Sequence, residues 1–100
     1  MMRFRDGLTC SHFSEALAIV LHQAAAWSTI AGVTIELVAL LAHEGAAADH
    51  AGAVFTIDRR TTTEPEIRLA HFRGYLERTL GARYRVELAR DRVIATWPYS

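Results

Sequence analysis

The most regular pattern of apolar and polar positions lies in residues 63–81. Apolar side chains recur there at steps of three and four positions, so they share one face of a predicted helix: Leu69, Phe72, Leu76 and Leu80. Thr63 lies three residues before Glu66, which is the spacing of a capping box at a helix start. Pro65 falls in the first turn, where its missing amide costs nothing. Gly81 follows the last apolar position, where a left-handed residue would end the helix.

A β-hairpin is predicted after this helix. Apolar and charged side chains alternate with the period of a half-buried strand in the order Arg83, Tyr84, Arg85, Val86, Glu87 and Leu88. Either Arg90-Asp91 or Asp91-Arg92 can form the tight turn, and residues 93–97 return as a second strand rich in β-branched side chains. The C-terminal third is therefore predicted as helix, strand, turn and strand.

The N-terminal half predicts a second helix followed by a buried strand. After an irregular or extended lead-in over residues 1–10, Ser11 or Ser14 can cap the helix and Gly32 ends it. Its apolar stripe is Leu17, Val20, Leu21, Ala24, Trp27 and Ala31. Residues 33–40 are rich in β-branched side chains, which favours a buried strand; a helix over residues 34–48 is the alternative, because its leucines also fit a helical period.

These elements together predict an α+β fold in a single domain over residues 1–100. Residues 43–52 are small and polar and are predicted as a loop or a short loose helix, and residues 54–57 as a short strand. Two main helices would pack on a small, mainly antiparallel sheet that ends in the C-terminal hairpin.

Composition narrows the classes of function. Eleven basic and eleven acidic side chains give a net charge of zero, which provides no electrostatic reason to expect direct binding to nucleic acid or an anionic membrane. Residues 24–42 are the most membrane-like stretch, but Glu36, Gly32 and several hydroxyl side chains interrupt it, so a buried helix and strand explain it better. Cys10 is the only cysteine, and the early residues Arg3, Arg5 and Asp6 do not resemble a secretory signal, so we expect a cytoplasmic protein.

Two groups of side chains could carry chemistry by metal binding or nucleophilic attack. The polar segment holds His43, Glu44, Asp49, His50 and Asp58. A zinc site could use His43, His50 and Asp58, or recruit His71 from the helix; the alternative is that these side chains only bond locally or face solvent. Cys10 and His12 lack an orienting third group, so an idle cysteine is the favoured interpretation.

The hairpin offers a third candidate, a surface for binding a partner protein. Its positive charges and neighbouring aromatic side chains are Arg83, Arg85, Arg90, Arg92, Trp97 and Tyr99. Arginine and aromatic side chains dominate the contact energy of many protein interfaces. Glu87 and Asp91 are interleaved, so a solvated face is the alternative.

The order of the elements resembles the small zinc D-Ala-D-Ala carboxypeptidase family, whose fold is shared with the hedgehog signalling domain and has compact phage versions. In that family a strand leads to a loop with Ser-x-His-x-x-Gly-x-Ala-x-Asp, then a helix, a strand and a hairpin bearing His-x-His and an aromatic residue. Here residues 32–35 resemble the strand entry, residues 49–58 the ligand loop and residues 80–97 the closing hairpin. The resemblance covers most of the chain.

The departures from this pattern bear on catalysis. His50 and Asp58 are eight positions apart instead of seven, and Arg92-Val93-Ile94 stands where His-x-His is expected. Arginine and isoleucine cannot replace imidazole on zinc. Thr96 occupies the position of the catalytic acid, ahead of Trp97.

The sequence therefore predicts a non-catalytic protein-binding module, without a cofactor, on a degenerate zinc-peptidase-like scaffold. By analogy with other small proteins, this would be a phage-encoded, anti-CRISPR-like inhibitor that sterically blocks a host defence complex such as a nucleoprotein complex. The alternatives are a zinc-dependent peptidoglycan amidase or carboxypeptidase, and a small structural homodimer that shares an apolar sheet face.

Overall fold

The computed structural model describes residues 1–5, 15–41 and 50–98, which form two α-helices and one five-stranded sheet. The elements in chain order are β1 (Met2–Phe4), α1 (Glu15–Ala31), β2 (Ile35–Leu41), β3 (His50–Ile57), a 3-10 turn (Arg59–Thr61), α2 (Pro65–Thr79), β4 (Arg85–Ala89) and β5 (Arg92–Pro98). The predicted α+β class, with a C-terminal hairpin formed by β4 and β5, is confirmed.

The strand order is β1-β2-β3-β5-β4. The short β1 runs parallel to β2, and the other three pairings are antiparallel, so the sheet is mainly antiparallel as predicted. A β-bulge shifts the register between Leu37 and Ala39. Beyond the bulge Leu40 pairs with Ala53 and packs against the core, which it could not do in an uninterrupted alternation from Leu37.

One face of the sheet packs against both helices. Its buried side chains are Ile35, Leu37, Ala53, Phe55, Val93, Ala95 and Trp97. Phe72 of α2 lies 5.0 Å from Trp27 of α1 and 5.5 Å from Phe55 of β3, measured between ring centroids. These three rings therefore join the two helices and the sheet in one core.

The first helix and the strand after it match the sequence pattern. The predicted apolar stripe of α1 is buried from Leu17 to Trp27, and Gly32 follows the helix with a φ of 69°. This left-handed backbone is strained for any side chain that carries a Cβ, so glycine suits the position. Residues 35–41 form β2, so the strand interpretation is confirmed and the helix alternative is wrong.

The predicted capping box at the start of α2 is wrong. Glu64 is the N-cap residue and makes no side-chain capping hydrogen bond; its own amide donates to Thr62 Oγ1 at 3.2 Å. The reason is Pro65, which occupies the first helical position as predicted and keeps the residue before it out of the helical conformation. Thr63 is consequently one position too early to cap the helix.

Two further predictions of local structure are wrong. No left-handed cap forms at Gly81: α2 ends at Thr79, and Leu80 leaves it in an extended conformation, with its amide donating to Leu76 O at 2.8 Å. Leu80 thereby buries its side chain, which is 6% exposed. Residues 50–52, predicted as part of a loop or a short loose helix, begin β3, because pairing with β2 and β5 on both sides outweighs their weak propensity for a strand.

The hairpin turn uses the first of the two predicted dipeptides. Ala89 pairs with Arg92, which leaves Arg90 and Asp91 as a two-residue connection. Arg90 has a φ of 57°, the positive value that tight hairpin turns require.

In the described ranges we find no helix of the length and apolar character that crossing a membrane requires.

Candidate partner-binding groove

A groove with a volume of about 810 Å³ opens where the end of α2 meets the first residue of β4 and the end of β5. The described residues that line it are His50, Glu77, Ala82, Arg83, Tyr84, Arg85, Val86, Thr96, Trp97 and Pro98. The chain creates this space because α2 stops at Thr79 and the short segment before β4 turns, with the amide of Tyr84 donating to Gly81 O at 3.0 Å.

Two aromatic side chains form the floor of the groove. The rings of Tyr84 and Trp97 lie 5.8 Å apart between centroids and are tilted by 56°. The Tyr84 hydroxyl donates to the backbone carbonyl of Ala16 at 3.0 Å. Burial raises the pKa of Tyr84, the charge of Glu15 raises it further, and the charge of Arg83 partly opposes both effects. The floor is therefore fixed to α1 and stays uncharged at neutral pH.

Arginine side chains supply positive charge at the rim. Arg83 Nη2 lies 3.5 Å from the backbone carbonyl oxygen of Pro98, to which it donates. Arg85 is exposed and pairs in register with Thr96, and its guanidinium makes no hydrogen bond or ion pair with the residues that the structure describes. Glu77 is the acidic side chain among the described lining residues, and it accepts a 2.7 Å hydrogen bond from Arg73.

The groove brings together half of the partner-binding residues predicted from the sequence. Arg83, Arg85 and Trp97 all line it. Trp97 is only 4% exposed, so it contributes to the floor and does not project as an anchor. Tyr99 lies outside the described residues.

Arg90 and Arg92 lie elsewhere on the hairpin. They are at the turn, four strand positions from Arg85, a distance of about 13 Å along the strand. Arg92 also pairs loosely with Asp91, with 3.6 Å between Nε and Oδ1. The four arginines are therefore two separate pairs and not one continuous patch.

A second cluster of charges lies at the opposite end of the sheet. Glu36 accepts hydrogen bonds from Arg3 at 2.9 Å and from Arg5 at 3.0 Å. Burial by itself would raise the pKa of Glu36, but these two arginines outweigh it and lower the pKa below its ordinary 4.5. The cluster therefore holds an ionised carboxylate between two guanidinium groups.

Asp58 extends this cluster. Its carboxylate accepts hydrogen bonds from the side chain of Arg60 at 2.9 and 3.1 Å and from the Arg60 amide at 3.0 Å, and Arg3 lies 3.4 Å away. The hydrogen bonds from Arg60 are the main reason that the pKa of Asp58 falls from 3.8 to about 2. Asp58 also caps the following 3-10 turn, so its role is structural.

The residues proposed as zinc ligands are not brought together. His50 begins β3 and Asp58 follows its last residue, so about 25 Å of extended strand separates them and one ion cannot bind both. Asp58 is engaged by Arg60, His71 is exposed on α2, and His43 lies outside the described residues. In residues 1–5, 15–41 and 50–98, no three His, Cys, Asp or Glu side chains are grouped closely enough to hold a metal ion.

Sequence reasoning missed several lining residues of the groove. Tyr84 could have been found, because its alternation with Arg83 and Arg85 places it on the core side, next to Trp97 in the neighbouring strand. The sequence pattern indicates His50 only as a metal ligand. Glu77 gave no signal, since its place in the groove depends on where α2 ends relative to the sheet.

Comparison with known proteins gave no match to a protein-family model, to a curated protein or to a solved structure. The resemblance to the zinc carboxypeptidase family therefore stays a prediction from the sequence.

Proposed function

We propose that this protein acts by binding another protein, without catalysis, and that the groove beside β4 is its contact site. The observation that carries the proposal is that Arg83 and Arg85 line the same groove as Tyr84 and Trp97. Arginine, tyrosine and tryptophan are the side chains most enriched at the positions that dominate binding energy in protein interfaces.

The chemistry of the lining side chains supports binding more than proton transfer. Guanidinium groups donate hydrogen bonds but do not exchange protons at neutral pH. The Tyr84 hydroxyl is committed to Ala16 O, and the Glu77 carboxylate to Arg73. The arginines can therefore recognise a partner, while Tyr84 and Glu77 already have structural bonds.

The narrower role, a phage-encoded inhibitor that sterically blocks a host defence complex, stays a prediction from the sequence. A groove contact is compatible with such a role, because covering a partner's surface requires affinity and no chemistry. Identifying the partner is the way to test it.

The test compares capture by three tagged proteins that are equally folded by circular dichroism. The groove variant is Arg83→Ala/Arg85→Ala, and the matched control Arg90→Ala/Arg92→Ala removes the same charge from the turn end of the same hairpin. We expect the wild type and the control to capture a partner that the groove variant loses. When the partner is purified, its affinity should likewise be retained by the control and lost by the groove variant. Equal capture by all three, or equal loss in both variants, would show that the groove is not the contact site.

A further inference from the structure

We infer that the segment which enters the groove is acidic, with carboxylate side chains seated against Arg85 and Arg83. This inference rests on the proposed function and specifies the chemistry of the partner. It follows from the charges, the exposure and the donor geometry of the described lining residues.

Among the described lining residues, the charge balance favours an anion. Two guanidinium groups face the one acidic side chain among the described lining residues, and the Glu77 carboxylate is already engaged by Arg73 at 2.7 Å. Arg85 is exposed and has no anionic partner in the described part of the chain. A charged donor that is left without an acceptor at the mouth of a groove attracts a ligand of opposite sign.

The donors suit a carboxylate. Arginine presents its N–H groups as a planar fork that matches the two oxygens of a carboxylate. Thr96 is directly across the strand pair from Arg85, and its hydroxyl can add a further hydrogen bond. His50, paired with Pro98 in the neighbouring strand, provides another polar group at the same rim.

The aromatic floor argues against nucleic acid as the occupant. Proteins that hold single strands stack bases on exposed aromatic faces. Trp97 is 4% exposed and Tyr84 is tied to Ala16, so neither ring is presented as a platform. An acidic peptide needs no such platform, because its carboxylates reach the arginines at the rim.

The experiment uses three labelled probes on the full chain: poly-Glu, poly-Gln as the neutral control, and oligothymidylate as the competing polyanion. Binding is measured by fluorescence anisotropy for the wild type, Arg85→Gln and Arg92→Gln. Arg92 is the matched control because it lies on the same hairpin, at the turn end. Amide chemical shifts of the wild type, recorded with and without poly-Glu, locate the contact.

We expect poly-Glu to bind the wild type and poly-Gln not to bind. The affinity for poly-Glu should fall by about tenfold or more in Arg85→Gln, and by no more than about twofold in Arg92→Gln. Shifts should cluster at residues 82–86 and 96–98. Equal losses in both variants, shifts elsewhere, tighter binding of oligothymidylate, or no binding of poly-Glu would each overturn the inference.

The two proposals can fail separately. If capture of a partner requires Arg83 and Arg85 but poly-Glu does not displace that partner, the inference of an acidic segment is wrong and the protein-binding role stands. If poly-Glu binds through Arg85 but both arginine double variants capture the same proteins as the wild type, the protein-binding role at this groove is wrong.

Discussion

The hydroxyl of Tyr84, the residue immediately before β4, donates a 3.0 Å hydrogen bond to the backbone carbonyl of Ala16 in the first turn of α1. This bond joins residues that are 68 positions apart in sequence. It closes the groove floor on the side of the helix layer. The position of the floor therefore depends on a contact between the N-terminal and C-terminal parts of the chain.

Replacing Tyr84 with phenylalanine should reduce stability at neutral pH by about 1 kcal/mol, the usual net value of such a hydrogen bond. The pKa of Tyr84 is raised in the folded protein, so its contribution is complete below pH 10.0, the ordinary value, and is lost as the pH rises through the folded value. The wild type should consequently lose stability above pH 10.0 more steeply than Tyr84→Phe, in urea unfolding followed by circular dichroism. Tyr75→Phe is the control, because it removes a weaker 3.3 Å bond to Gln23. Parallel alkaline profiles for the wild type and Tyr84→Phe would contradict the prediction.

Acid should destabilise the protein through Asp58. Its pKa is lowered to about 2 in the folded state, so the stability it contributes is present above pH 3.8 and is lost as the pH falls towards 2. Glu36, whose pKa is also lowered, adds a loss in the same direction below its ordinary 4.5. Asp58→Asn should flatten the acid limb of a plot of unfolding free energy against pH. Asp91→Asn, at a carboxylate that is 49% exposed, should leave that limb unchanged; a similar effect of both variants would exclude a special role of Asp58.

Gly52 is needed for close packing between strands. A Cβ at this position would lie 3.0 Å from Ala95 O and 3.1 Å from Thr96 Cγ2, and the backbone oxygen cannot move without disturbing the sheet. Gly52→Ala should therefore cost about 1–3 kcal/mol. Gly81→Ala is the matched control: a Cβ there meets no atom within 4 Å, so the change should be neutral or stabilise by up to about 1 kcal/mol. Equal midpoints of thermal unfolding for the two variants would refute this.

Phe72 should be the most sensitive position in α2. It is fully buried and contacts both Trp27 and Phe55, so Phe72→Ala should cost about 3–5 kcal/mol by leaving a cavity between the helices and the sheet. Ile67 of the same helix is 51% exposed, and Ile67→Ala should change stability by less than about 0.5 kcal/mol. Chemical denaturation of both variants tests the difference. A loss below about 1 kcal/mol for Phe72→Ala would mean that the three-ring contact is not central to the core.

Periodicity predicted those parts of the fold in which local preference and burial agree. The stripe from Leu17 to Trp27, the strand after Gly32 and the hairpin of residues 85–98 all follow from side-chain spacing, and each forms as predicted. Side-chain spacing did not predict the start of β3, because residues 50–52 gain their extended structure from pairing with strands on both sides. The wrong capping box has a local cause, since Pro65 sets the helix boundary more strongly than Thr63 does.

The candidate site was predictable only as a list of residue types. Composition and alternation indicated that arginines of the hairpin could meet a partner, and the structure places Arg83 and Arg85 on one groove. The predicted turn already separates them from Arg90 and Arg92 along the hairpin, but which pair lines a groove depends on where α2 ends relative to the sheet. The groove itself arises from the early end of α2 and the contact between Tyr84 and Ala16, both of which are tertiary features.

The strand order has a consequence for cooperativity. β3 and β5 are neighbours at the centre of the sheet, yet α2 and β4 separate them along the chain. Phe72, from the part of the sequence after β3, completes a core whose other rings, Trp27 and Phe55, come from the part that ends with β3. Neither part can bury its apolar surface alone, so a fragment that ends after β3 should stay unfolded until the remainder is supplied, and the full chain should unfold in one transition.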